Sequence, residues 1–177
     1  ALRSADGGKT WDKYSFGIEG LDRHFNKIIA SPDGQQWLIL GESGTVLKSL
    51  DAGLTWAQVP AFYNGSFYGG VHLSGDAWLV YGMRGNVFRS VDGGQTWVKS
   101  RVPHVFSLLS HYVDDAGAIY LTGLNGTILK SEDGGQTFTE LRRGPQAAIL
   151  AMLPDPKGGW LMATEAGLRH YAADFKM

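Results

Sequence analysis

Ser90-Val91-Asp92-Gly93-Gly94-Gln95-Thr96-Trp97 is one of four copies of a short motif, S-x-D-x-G-x-T-W. The others are Ser4-Ala5-Asp6-Gly7-Gly8-Lys9-Thr10-Trp11, Ser49-Leu50-Asp51-Ala52-Gly53-Leu54-Thr55-Trp56 and Ser131-Glu132-Asp133-Gly134-Gly135-Gln136-Thr137-Phe138. The motif serines are 45, 41 and 41 residues apart. Gly44, Gly85, Gly126 and Gly167 keep the 41-residue beat, as do Trp37, Trp78, Ile119 and Trp160. The long first step places a four-residue insertion within residues 12–36. A fixed period near 40 belongs to propeller blades or to paired-helix repeats.

Local pattern separates the two. Trp37-Leu38-Ile39-Leu40, Trp78-Leu79-Val80-Tyr81 and Ile119-Tyr120-Leu121 are short apolar runs bounded by Gly, Asp and Ser. Such runs read as buried strands. The 25 glycines suit turns and weaken helices. The expected fold is all-β, a β-propeller of four-stranded antiparallel blades. In residues 65–103, strand A covers Phe67–Leu73, B Ala77–Tyr81, C Asn86–Ser90 and D Thr96–Lys99. The blade boundaries are 1–22 for a half blade, 23–62, 63–103 and 104–145 for full blades, and 146–177 for a partial one. Closing this set as a four-bladed ring would supply strand C twice. The expectation is therefore an incomplete propeller of about four blades, a piece of a longer one, with a ring completed by a second copy as the alternative.

The motif has a mechanical reading. An Asp just after a strand accepts bonds from backbone N–H groups of the following turn. Glycines permit the reversal. The aromatic fills the space between blades. Asp6, Asp51, Asp92 and Asp133 are thus structural, and Trp11, Trp56, Trp97 and Phe138 are expected to be mostly buried.

The motif resembles the Asp box, or bacterial neuraminidase repeat, of sialidases, sortilin-type receptors and non-enzymatic propellers. A longer form, G-x-x-G-x-[VI]-[LF]-[KR]-S, spans Gly41–Ser49, Gly82–Ser90 and Gly123–Ser131. It is similar to the photosystem II stability/assembly factor family. That resemblance implies an extracytoplasmic propeller that binds a protein partner, and localisation rests on it alone.

Composition narrows the field. A net charge of −1 and a pI near 6.6 argue against a nucleic-acid binder. No run of 18 apolar residues spans a membrane. Ala1-Leu2-Arg3-Ser4 already enters a motif, so no signal peptide is expected in these residues. Without cysteines there is no disulfide or thiolate site, and the histidines at 24, 72, 104, 111 and 170 show no metal spacing. No cofactor is expected. His72 and His111, on innermost strands, are read as hydrogen-bonded core residues rather than channel lining.

Ligands of propellers sit, by analogy of fold, on the face of the B–C loops and the connections between blades. The B–C loops offer Glu42, Arg84, Asn125 and Glu165. The connections offer Asp22-Arg23-His24, Tyr63-Asn64, Arg101 with His104, and Arg142-Arg143. Arg3, Lys48, Arg89 and Lys130 recur at one repeat position, as a solvated stripe or partners for the next blade. Arg23, Arg84, Arg101, Arg142 and Arg143 are taken as non-periodic, and Arg84, Arg101, Arg142 and Arg143 as one patch at the channel mouth. Such a cluster suits a carboxylate-bearing partner; soluble surface is the plain alternative. The expected function is a non-catalytic binding module for a protein or acidic peptide, with self-association through open terminal blades. The alternative is a sialidase or related glycoside hydrolase. Against it, the Phe/Tyr-Arg-Ile-Pro segment of sialidases is absent, and Glu42 and Glu165 lie in repeats that are not neighbours.

Overall fold

The computed structural model describes residues 1–144 and 147–175. Blade I is a pair, β1 (Leu2–Arg3) and β2 (Asp12–Lys13). Three four-stranded blades follow. Blade II contains β3 (Phe25–Ala30), β4 (Trp37–Gly41), β5 (Val46–Ser49) and β6 (Ala57–Gln58). Blade III contains β7 (Phe67–His72), β8 (Trp78–Gly82), β9 (Val87–Ser90) and β10 (Val98–Lys99). Blade IV contains β11 (Leu108–Val113), β12 (Ile119–Gly123), β13 (Ile128–Ser131) and β14 (Thr139–Arg142). Blade V has three strands, β15 (Ile149–Pro154), β16 (Trp160–Thr164) and β17 (Gly167–Tyr171). Every pairing within a blade is antiparallel and sequential. The strands of blade III fall within two residues of the limits read from the sequence.

The innermost strands pack side by side in the order β3, β7, β11, β15. No extensive packing joins the strands of blade V to those of blades I and II, so the described blades form an open arc. The four extra residues of the first repeat sit in two places. The connection from blade I to blade II has eleven residues (14–24), where the next two have eight. The A–B turn of blade II has six residues (31–36), where the next two have five.

Cores form between blades because alternate residues of a strand point to opposite neighbours. Leu38, Leu40 and Val46 of blade II meet Trp78, Val80 and Phe88 of blade III. Leu79, Tyr81 and Val87 on the other side of blade III meet Leu108, Ile119, Leu121 and Leu129 of blade IV. Tyr120 and Ile128 then meet Ile149, Met152 and Met162 of blade V. Phe62, Tyr63 and Phe67 cap the first of these cores and form no exposed aromatic patch.

The motif aromatics require a correction. Phe138 is buried at 5% exposure, but Trp56 and Trp97 are half-buried and Trp11 is 60% exposed. Each ring packs on the chain that comes from the preceding blade. Trp97 stacks on Phe62 at 5.0 Å, and Trp56 meets Phe16 edge-on at 5.8 Å. Among the described residues no blade precedes blade I, so the Trp11 ring has no such surface to cover it.

Candidate functional site

The four motif loops share one hydrogen-bond scheme. In the copy at 49–56, Asp51 Oδ1 accepts from the Ser49 hydroxyl at 2.7 Å, from the Leu54 N–H at 3.1 Å and from the Thr55 N–H at 2.8 Å. Asp51 Oδ2 accepts from the Thr55 hydroxyl at 2.6 Å. The Trp56 indole N–H donates to the Gly53 carbonyl. Asp6, Asp92 and Asp133 repeat the pattern. The hydroxyl and N–H of Thr55 hold the Asp51 carboxyl down at about 2. The same groups of Thr10 do so for Asp6. These carboxylates are spent on their turns.

The periodic cations are spent as well. Arg3 donates to the Gly53 carbonyl, Lys48 to that of Gly93 and Arg89 to that of Gly134. Each strand C thus ties its blade to the motif loop of the next. Lys130 breaks the series, pairing with Glu132 at 2.6 Å and lying over the Tyr120 ring.

The opposite face carries the B–C loops. Three are single 3-10 turns, at Glu42–Gly44, Met83–Gly85 and Leu124–Gly126. The middle residue of each is left-handed: Ser43 at φ 52°, Arg84 at 57° and Asn125 at 56°. A side chain there stands out from the face. The loops are tied from below, because the Glu42, Met83 and Leu124 N–H groups donate to the His24, Ser66 and Ser107 carbonyls at 2.9–3.1 Å. The incoming chain of the next blade crosses the loop glycine, and the Gly44 N–H donates to the Gly65 carbonyl.

The expected site residues divide on this frame. Arg84 is exposed, and its backbone N–H donates to Ser107 Oγ at 3.2 Å. Arg143 is exposed beside Glu140, Nε to Oε2 3.7 Å. His104 lies between their loops, with Nε2 3.6 Å from the same Glu140 oxygen and a side chain only 5% exposed. Burial pushes its imidazole below the ordinary value, against the pull of Glu140. Asn125 is exposed on the neighbouring loop, and its carbonyl accepts from the Gly144 N–H. Glu42 faces His24 at 3.2 Å, while Glu165 accepts from the Ala148 N–H at 3.1 Å. Arg23 is exposed and its guanidinium donates to the neighbouring Asp22 carbonyl.

Arg101 and Arg142 do not join the channel-mouth patch. They are one repeat apart, and both sit where strand D crosses the rim toward the next blade. The Arg101 N–H donates to the Gln136 carbonyl, and its carbonyl accepts from the Phe138 N–H, both at 2.9 Å. Arg101 thereby lines a rim cleft of about 500 Å³ with Asp133, Gln136 and Thr137 on the motif side. The Arg142 guanidinium lies 4.5 Å from the centre of the Tyr171 ring. Glu140, Ser107 and Asn86 join the face without having been singled out. Asn86 had a readable signal, because Thr45 and Thr127 hold that repeat position in the other two loops.

The inner-strand histidines are hydrogen bonded. His72 Nε2 is 2.8 Å from the Gly75 carbonyl, and His111 Nδ1 is 2.8 Å from the Tyr81 hydroxyl of the adjacent blade. Burial pushes His111 down to about 4, helped by the Lys27 charge. Among the described residues, no group of three or more His, Asp or Glu is placed to hold a metal ion.

Solved structures share this arrangement. YCF48 bound to D1 peptide superposes with a TM-score of 0.72 over 96% of this chain and 57% of that one, at 20% identity. The chain has a β-propeller fold. YCF48 from Cyanidioschyzon merolae matches at TM-score 0.62 and 21% identity, over 85% of this chain and 56% of that one. The GH74 xyloglucanase from Xanthomonas campestris matches at TM-score 0.65 and 16% identity, over 81% of this chain and 27% of that one. The chain spans little more than half the length of the YCF48 structures. No protein-family model and no curated protein matches it.

Proposed function

We propose that this chain is a non-catalytic binding module whose B–C loop face takes an acidic segment of a protein partner. The observation that carries this reading is the contrast in how cations are used. Arg3, Lys48 and Arg89 are consumed by the scaffold, whereas Arg84 stands exposed on the B–C face and makes no ion pair among the described residues. Arg143 adds a second exposed guanidinium across His104, with a long contact to Glu140 as its one ion pair among the described residues. Guanidinium groups so placed suit carboxylates. The peptide bound to YCF48 in the similar structure supports the same use of the fold. An extracytoplasmic setting is part of the proposal and follows the family resemblance.

The likeness to GH74 enzymes keeps glycoside hydrolysis as the competing reading. A common retaining hydrolase needs two carboxylates roughly 5 Å apart. The B–C carboxylates here, Glu42 and Glu165, belong to blades II and V with two blades between them, and each is engaged by its own blade. The test is capture of acidic peptides by the purified chain at rising salt. Binding should weaken with ionic strength, and it should be lost in the Arg84→Ala, Arg143→Ala double variant without a change in melting temperature. Hydrolysis of xyloglucan or a sialoside would overturn the non-catalytic reading.

A further inference from the structure

Three B–C loops share one backbone, yet among the described residues only the Arg84 loop has its peptide groups held by side-chain hydrogen bonds. Arg84, Ser43 and Asn125 occupy the same left-handed position. Asn tolerates that conformation, whereas a long unbranched side chain seldom takes it. A residue held so against preference points to use rather than to folding. The brace is specific to the Arg84 loop. Asn86 Nδ2 donates to the Met83 carbonyl at 3.0 Å and to Tyr63 Oη at 3.1 Å. The Tyr63 hydroxyl donates to the same Met83 carbonyl at 3.2 Å. Ser107 receives the Arg84 N–H from the far side. At the Asn86 position of the next blade the Thr127 hydroxyl has no hydrogen-bond partner among the described residues. The peptide unit before Arg84 is therefore clamped by the connection from blade II and by its own loop, and its N–H by the chain entering blade IV.

We infer that Arg84 is the specificity-determining residue of the B–C face, reading a carboxylate of an extended acidic ligand, and that Tyr63 and Asn86 are its positioning residues. This rests on the binding function proposed above and narrows it to one guanidinium with a dedicated support. A fixed backbone lowers the ordering cost of a long side chain on binding. Ser43 and Asn125 then flank the cation with a hydroxyl and an amide, groups that can pair with a peptide backbone.

The probe is hexa-L-glutamate, with hexa-L-glutamine as the uncharged control, titrated into the 177-residue protein. The wild type should bind the first and not the second. Arg84→Ala should weaken binding at least about tenfold, the loss of a charge-assisted pair. Arg84→Lys should keep the charge and lose part of the affinity. Asn86→Thr restores the residue of the other two loops, so it should fold normally; with Tyr63→Phe it should weaken binding several-fold at unchanged melting temperature. Full affinity in Arg84→Ala, with loss only in Arg143→Ala, would overturn the assignment of Arg84 and leave the acidic-partner reading standing. Full affinity in both Asn86→Thr and Tyr63→Phe would overturn the positioning role. Failure of the wild type to distinguish the two peptides would overturn the acidic-partner reading and this inference together.

Discussion

Two groups of residues make acid the sensitive direction, in separate windows. Asp6 and Asp51 titrate at about 2 when folded, below the ordinary 3.8, because hydroxyl and N–H donors hold the charged form. A depressed carboxyl contributes stability above its unfolded value and loses it as pH falls through the folded one. That loss spans roughly pH 4 to 2. His111 also has a depressed value, about 4 against 6.5, here because burial disfavours its cation. The unfolded chain takes its proton first, so stability falls from about pH 6.5 toward 4. Melting temperature against pH should therefore drop in two stages, and His111→Gln should flatten only the upper one. The motif aromatics give a second residue-scale prediction. Phe138→Ala should cost about 3–5 kcal/mol and half-buried Trp97→Ala about 2–3 kcal/mol in denaturant melts, whereas exposed Trp11→Ala should cost under about 0.5 kcal/mol. Equal losses at all three would mean that burial by the preceding blade does not set these energies.

At the scale of elements, the chain entering each blade locks the B–C loop of the one before. Gly85 has φ +68°, and a Cβ there would press into the His104 carbonyl oxygen. Gly117 has φ +83° with open space around it. Gly117→Ala should cost only the conformational term, about 1–2 kcal/mol; Gly85→Ala should cost more and should also loosen the Arg84 loop in hydrogen exchange. Strand limits and loop faces were legible because Gly, Ser, Asp and Trp recur every 41 residues. The rim was not. Strand D turns across the rim, and the parallel bridge of Arg101 with Thr137 joins residues 36 apart that belong to different repeats. Pro60 holds the position one repeat earlier and has no N–H to donate. The destination of Arg101 and Arg142 thus depends on blade twist and on one backbone donor, neither of which a residue pattern displays. Arg84 was legible as an exception to the repeat, but its brace through Tyr63 and Asn86 crosses between blades and emerges only when they pack.

At the scale of the molecule, an arc of blades has two faces that no described blade covers. Strand register puts Ala151, Leu153, Leu161, Ala163 and Leu168 on one side of blade V, since Ala151 pairs Ala163, which in turn pairs Leu168, while Leu153 pairs Leu161. Leu153 and Leu168 are about 60% exposed there. At the other end Leu2 and Trp11 are exposed to a similar extent, and Ile28 is half exposed. In the three gaps from blade II to blade V, residues of the same kind are buried against the next blade. An apolar sheet face of this sort normally marks an interface, and unpaired strand edges beside it favour pairing with other chains. These 177 residues on their own should therefore associate as concentration rises. Sedimentation velocity is the measurement. Leu153→Lys with Leu168→Lys should shift the population toward monomer and leave the melting temperature of the monomer nearly unchanged, because both side chains already face water. The interior blade gaps are heterologous, so association should run head to tail, and Trp11→Lys at the opposite end should produce the same shift as the blade V pair. A chain that stays monomeric at every concentration, with hydrogen exchange showing blades I and V protecting each other, would mean that the arc closes on itself in solution.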